Sequence, residues 1–118
     1  MTLLVTGDIG GTKTLLQLVD ASREESKASV KLRKVYENRY SSHDFPNLVP
    51  IVKKFLEEAS KRLGEKQKPE KACFAIAGPI VNNTVKLTNL PWMIDAKLME
   101  NELGISQVSL INDFEAVG

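Results

Sequence analysis

"TLLVTGDIGGTKTLLQLVD", residues 2–20, sets two apolar runs around a short stretch that holds one acid, Asp8, and three glycines, Gly7, Gly10 and Gly11. Residues 2–8 read as a buried strand and residues 13–20 as a second. Only about four residues separate them, so the strands pair antiparallel as a hairpin. Glycine, lysine and threonine so close together suggest a phosphate loop, yet neither common pattern fits. The Walker form needs glycine before the lysine, where Thr12 stands, and the dinucleotide form G-x-G-x-x-G is absent.

The acid makes the loop informative. Consecutive glycines let a phosphate approach backbone N–H groups and allow unusual backbone angles, and the Thr12 hydroxyl can add a bond. A carboxylate repels phosphate unless a cation lies between them, so Asp8 fits a loop for a metal-bound phosphate tail, with Mg²⁺ held directly or through water. The same residues also suit a plain glycine-rich hairpin in which Asp8 satisfies turn amides. On spacing alone both readings stand.

Beyond the hairpin, the pattern alternates strands and helices. Residues 29–40 alternate apolar and polar at Val30, Leu32, Lys34 and Tyr36, as a third, half-exposed strand does. Leu48, Val52, Phe55, Leu56, Ala59 and Leu63 form one helical stripe. Pro50 sets its start. With Asp44 as cap the proline would fall inside the helix and cost roughly 3 kcal/mol. With Asn47 as cap it lies in the first turn, where its missing N–H is no loss. Gly64 ends the helix. Residues 71–77 read as a strand buried on both faces. Residues 80–88 read as a hairpin turning at Asn82-Asn83, since Asn tolerates left-handed angles. Asp95 caps a short helix over 96–103 that Gly104 ends, residues 107–111 form a last strand, and "NDFEAVG" begins another helix. The predicted class is α/β: a mixed sheet with a three-strand antiparallel meander and flanking helices. The stop inside a helix suggests a piece of a longer chain.

Composition narrows the function. The chain has 118 residues, 42% hydrophobic and 26% charged, with a formal net charge of +1. No basic stripe interleaved with aromatics asks for nucleic acid, and no apolar run is long enough to span a membrane. With no signal-peptide pattern and the single Cys73, the reading is cytoplasmic.

A few other residues could carry chemistry. Asn112-Asp113 end the last strand, and in open α/β sheets ligands collect at the carboxyl ends of strands. A carboxylate there can take a proton from an attacking hydroxyl. Capping the following helix is the simpler reading of the pair. Gly78-Pro79 could line a cleft, and Asn89 could touch a polyol. Trp92 reads as packing, His43 as an exposed loop residue, and Cys73 as a small buried hydrophobe. Lys13 could reach a phosphate or lie in solvent. Lys53, Lys54, Lys61, Lys66, Lys68 and Lys71 read as a solvated face.

Three motifs in order carry a resemblance. "GDIGGTKT" resembles the first phosphate motif of the sugar kinase, heat-shock chaperone and actin superfamily. "FAIAGPIVNNTVKLTNLPWMID" and "LINDFEAVG" resemble the bacterial glucokinase family, and "INDF" favours it over the related repressor and kinase (ROK) family. The resemblance implies an actin-like, ribonuclease-H-like lobe: residues 1–118 as the N-terminal lobe of a two-lobed sugar kinase whose C-terminal lobe this chain lacks. It implies that Gly7, Asp8, Ile9, Gly10, Gly11 and Thr12 hold the ATP phosphates, with Asp8 facing Mg²⁺. It implies Asp113 as general base on the glucose 6-hydroxyl and Asn112 as a sugar contact. Glucose and ATP are then the partners, and apolar surface meant for missing segments would let the piece dimerise. A non-catalytic actin-like nucleotide-binding or assembly module, or a kinase of another hexose, is the alternative.

Overall fold

The structure is a computed structural model that describes residues 3–23, 30–64, 67–76, 80–86 and 92–112. The first hairpin forms as the sequence pattern requires: β1, Leu3–Ile9, runs antiparallel to β2, Lys13–Arg23, with Ile9 opposite Thr14. β3, Val30–Ser41, continues the meander on the outer side of β2. Helix α1, Leu48–Leu63, then crosses the sheet to β4, Lys71–Ile76, which lies parallel to β1. Two short strands follow, β5, Thr84–Lys86, and β6, Met93–Asp95, and pair with each other as a separate ribbon. Helix α2, Ala96–Leu103, leads to β7, Gln107–Asn112, parallel to β4. The five-stranded sheet has the order β3-β2-β1-β4-β7, antiparallel on one side of β1 and parallel on the other. That is the mixed sheet with an antiparallel meander predicted from the sequence. Among the described residues no helix is long and apolar enough to cross a membrane.

The core occupies one face of the sheet. Val5 and Ile9 of β1, Leu16 and Leu18 of β2, and Phe74 and Ile76 of β4 are buried together with Ile51, Val52 and Phe55 of α1. A 16-residue helix is only marginally stable alone. Burial of a side chain such as Phe55 contributes about 2–3 kcal/mol and holds it to the sheet. Phe55 also meets the Tyr36 ring, with centroids 5.5 Å apart. Gly7 sits where this core is tightest. A Cβ there would lie 2.6 Å from Phe74 Cδ1 and 2.8 Å from Leu16 Cδ2, so its neighbours on both adjacent strands require a glycine.

The helix ends follow the sequence reading. The Asn47 side chain accepts from the Leu48 N–H and Asp95 accepts from the Leu98 N–H. Gly64 and Gly104 close the two helices in the left-handed region, at φ +80° and +67°. Asn82 and Asn83 turn a tight link between Val81 and Thr84 with φ of 52° and 60°.

Two expectations are corrected. β4 is not buried on both faces: Ala72, Phe74 and Ile76 are buried, whereas Cys73 and Ala75 are half-buried. Helices cover only one side of the sheet among the described residues, and Cys73 lies in a row with Thr6 and Ser109 on the other. Cys73 is therefore not the fully buried residue expected, although partial burial still pushes its thiol pKa up. Nor does one unbroken alternation run through β3. A bulge shifts its register, so that Leu18 opposes Tyr36 while the adjacent Val19 opposes Lys34. The extra residue puts 30–34 out of phase with 36–41. β6 and its pairing with β5 were not anticipated. The helix expected from "NDFEAVG" lies outside the described residues.

Candidate functional site

The carboxyl ends of β1, β4 and β7 lie side by side, since all three run the same way. Register puts Asp8, Ala75 and Ile111 in one row and Ile9, Ile76 and Asn112 in the next. Asp8 and the end of β7 are thus separated by a single strand, about 10 Å across two strand spacings. Asp8 is exposed, on the face opposite the core. Among the described residues its carboxylate accepts no hydrogen bond and enters no salt bridge. Capping of the turn amides, the simpler reading of this acid, is therefore not what it does here. Asn112 is half-buried and has a bonding partner. Asp113, Gly78-Pro79 and Asn89 lie outside the described residues.

The loop between β1 and β2 is held through its carbonyl groups. The Gly10 N–H donates to the Lys13 carbonyl at 3.0 Å, leaving Gly11 and Thr12 as the turn. Ser42, just past β3, closes over it: its N–H donates to the Thr12 carbonyl at 2.9 Å and its hydroxyl to the Gly10 carbonyl at 2.8 Å. A hydroxyl carries one hydrogen. The 2.9 Å contact between Ser42 Oγ and Thr14 Oγ1 therefore has Thr14 as donor. Both side chains are fully buried. With the carbonyls of Gly10, Thr12 and Lys13 bound to protein donors, the loop's capacity for a ligand lies in its N–H groups. The glycines are not needed for left-handed angles, because the positive-φ glycines among the described residues are Gly64 and Gly104. Gly10 is needed for closeness: a Cβ would stand 3.0 Å from the Lys13 oxygen.

Beside the loop, the open face carries ordered polar rows. The Gln17 amide donates to Glu37 at 2.6 Å and Lys34 lies 3.6 Å from the same carboxylate. The Gln17 bond first, and the lysine after it, hold the Glu37 carboxyl below its usual range. Asp8, Gly10, Lys13, Leu15 and Arg39 line a shallow hollow of about 280 Å³. Lys13 is exposed at its rim.

Other candidates resolve as structure. Trp92 is 1% exposed and its indole N–H donates to the Phe45 carbonyl at 3.0 Å. His43 is exposed in a 3-10 turn, Ser42–Asp44. Lys53, Lys54, Lys61, Lys68 and Lys71 are exposed. Among the described residues no group of three or more His, Cys, Asp or Glu could hold a metal by itself. Asp8 alone suits Mg²⁺, which takes one or two carboxylates and completes its shell with water and phosphate oxygens. Ser42, Thr14 and Arg39 were not singled out from the sequence. A serine just past a strand carries no local mark of its partner 32 residues earlier.

Comparison with known proteins matches the chain to a family and a fold. The family model described as Glucokinase matches residues 5–118. A glucokinase of Nostoc punctiforme is 56% identical over 118 residues, all of this chain and 32% of that protein. The chain thus spans about a third of the length of the curated relatives it matches. The crystal structure of a glucokinase from an Antarctic psychrotroph superposes with a TM-score of 0.74 at 28% identity, over 98% of this chain and 34% of that one. A ROK family glucokinase from Streptomyces griseus, solved with glucose and AMPPNP, superposes over 94% of this chain and 33% of that one, with a TM-score of 0.63 at 24% identity. The actin-like fold expected from the sequence is the fold of these neighbours.

Proposed function

Because this chain belongs to the glucokinase family, we propose that residues 1–118 form the N-terminal lobe of a two-lobed kinase. Its reaction moves the γ-phosphate of ATP to the 6-hydroxyl of glucose. The observation that carries this reading is Asp8: a carboxylate without a partner among the described residues, beside a loop held by its carbonyls, one strand away from the end of β7. Gly7, Asp8, Ile9, Gly10, Gly11 and Thr12 then receive the phosphate tail. Mg²⁺, when bound, neutralises charge on the phosphate oxygens, and Asp8 is the residue that faces it.

Asp113, next after Asn112 at the end of β7, is the general base. As the sugar oxygen forms its bond to phosphorus and the bond to the leaving ADP breaks, Asp113 takes the hydroxyl proton. An ordinary aspartate is a weak base, with a pKa near 3.9. That suffices here, because the loose transition state of phosphoryl transfer leaves the protein chiefly positioning and charge stabilisation to supply. Asn112 orients the sugar beside it. The Streptomyces griseus neighbour, which holds glucose and an ATP analogue, supports this pair of substrates. Cytoplasmic location follows from the same reading. Exposed Met93 and Ile111 support self-association of the isolated piece, which sedimentation as a clean monomer at high concentration would exclude.

The test uses the full-length protein. Asp113→Asn removes turnover by about a hundredfold or more while glucose still protects the β7 end from hydrogen exchange. Retained turnover makes Asp113 a helix cap. Loss of glucose protection in the unmodified protein favours a non-catalytic actin-like nucleotide module, and protection by another hexose in place of glucose favours a kinase of that sugar.

A further inference from the structure

The open-face hollow beside the loop holds more positive charge than its one acid requires. Register sets Asp8, Leu15 and Arg39 in one row across β1, β2 and β3, so all three project from the same face. The middle position of that row is a leucine, which can bond no phosphate. Arg39 lies on its far side, about 10 Å from β1 by two strand spacings, within reach of a guanidinium on a long side chain. Lys13 and Arg39 line this hollow together with Asp8 and Gly10, and both also line a second one of about 280 Å³ with Thr12, Tyr40 and Ser41. The two cations thus stand where the loop's two sides meet.

Among the described residues, Lys13 and Arg39 enter no salt bridge. The nearest acid along β3, Glu37, is already engaged by Gln17 and Lys34. Arg39 adds the last and smallest share to the attraction that lowers the Glu37 carboxyl pKa, after Gln17 and Lys34. The backbone of Arg39 is placed by strand pairing opposite Leu15, and its N–H donates to the adjacent Asn38 Oδ1 at 2.9 Å. A guanidinium on a paired strand, beside this loop and in no salt bridge among the described residues, has the geometry for bidentate contact with phosphate oxygens.

We infer that Arg39 is a phosphate-binding residue of this site, contacting the outer phosphates of the nucleotide from β3, opposite the Gly10–Thr12 loop. The inference rests on the reading of that loop as a nucleotide phosphate site, and adds to it a third strand and a positive contact. Arg39 supplies the charge that Asp8 alone would work against, and it discriminates in favour of polyphosphate over a bare nucleoside.

Steady-state kinetics of the full-length protein test it. Arg39→Gln is expected to raise the KM for ATP about tenfold or more, and the inhibition constant of inorganic tripolyphosphate in parallel. The KM for glucose stays within about twofold. Arg39→Lys, which keeps the charge without the fork, gives an intermediate shift. A structural role would instead lower kcat and thermal stability without separating the two substrates. Asp8→Asn is measured beside them. If Asp8→Asn abolishes turnover while Arg39→Gln leaves the ATP and tripolyphosphate constants unchanged, the role of Arg39 is overturned and the loop reading stands. If neither variant alters nucleotide constants or turnover, the loop reading fails and Arg39 with it.

Discussion

The Ser42 hydroxyl donates to the Gly10 carbonyl at 2.8 Å, across 32 residues of chain. This bond and its two neighbours hold the β1–β2 loop from the end of β3. Ser42→Ala leaves the buried Thr14 hydroxyl without its acceptor and frees the Gly10 carbonyl. The expected cost is about 1–3 kcal/mol. It reads as a lower urea midpoint with an unchanged m-value in the full-length protein. An unaltered midpoint would show that these bonds contribute nothing net.

Gly7→Ala places a methyl 2.6 Å from Phe74 Cδ1, in a core where Phe74 is fully buried. Overpacking of this kind costs about 1–3 kcal/mol. Adding Phe74→Leu should recover part of it. Thermal unfolding of the two single variants and the double variant measures the coupling, and strictly additive losses would mean that the two side chains do not compete for this space.

Tyr40 carries the clearest pH dependence. Tyr40 is 8% exposed and its phenol donates to Glu58. Burial first, and then the bond to Glu58, raise its pKa above the ordinary 10.0. In the unfolded chain the phenol ionises near its ordinary value. The stability this group supplies is therefore complete below about pH 10 and is lost as pH rises toward the native pKa. Urea midpoints from pH 8 to 11 should fall more steeply for the unmodified protein than for Tyr40→Phe. Parallel curves would remove Tyr40 as the cause.

Asn47 does two things at the start of α1. Its Oδ1 accepts from the Leu48 N–H at 2.8 Å and its Nδ2 donates to the Met93 carbonyl at 3.3 Å. Asn47→Ala should cost about 1 kcal/mol. Asn47→Asp keeps the acceptor and gains from the helix dipole, so it should lose less. If both variants melt alike, the cap bond is not what stabilises the helix start.

What could be read from the chain was local. Asn47, Gly64, Asp95 and Gly104 act within a few residues of themselves, so their roles follow from spacing alone. The Asn82-Asn83 turn is legible for the same reason. Ser42, the β3 bulge and the β5–β6 pairing depend on partners distant in sequence, and no periodicity announces them. Cys73 was misjudged because an apolar run does not tell which face of its strand another layer covers. At the site, Asp8 was legible because an acid among glycines is chemically odd. Arg39 was not, because only strand register sets it in one row with Leu15 and Asp8.

The six residues from Ser42 to Asn47 are stitched to two separate places, the hairpin loop and the adjacent pair Trp92-Met93. Ser42 is bound to the hairpin loop, the Phe45 carbonyl receives the Trp92 indole, and Asn47 reaches Met93. This short segment acts as a tie-bar, joining the hairpin loop to the chain that leads into the ribbon and to the first turn of α1.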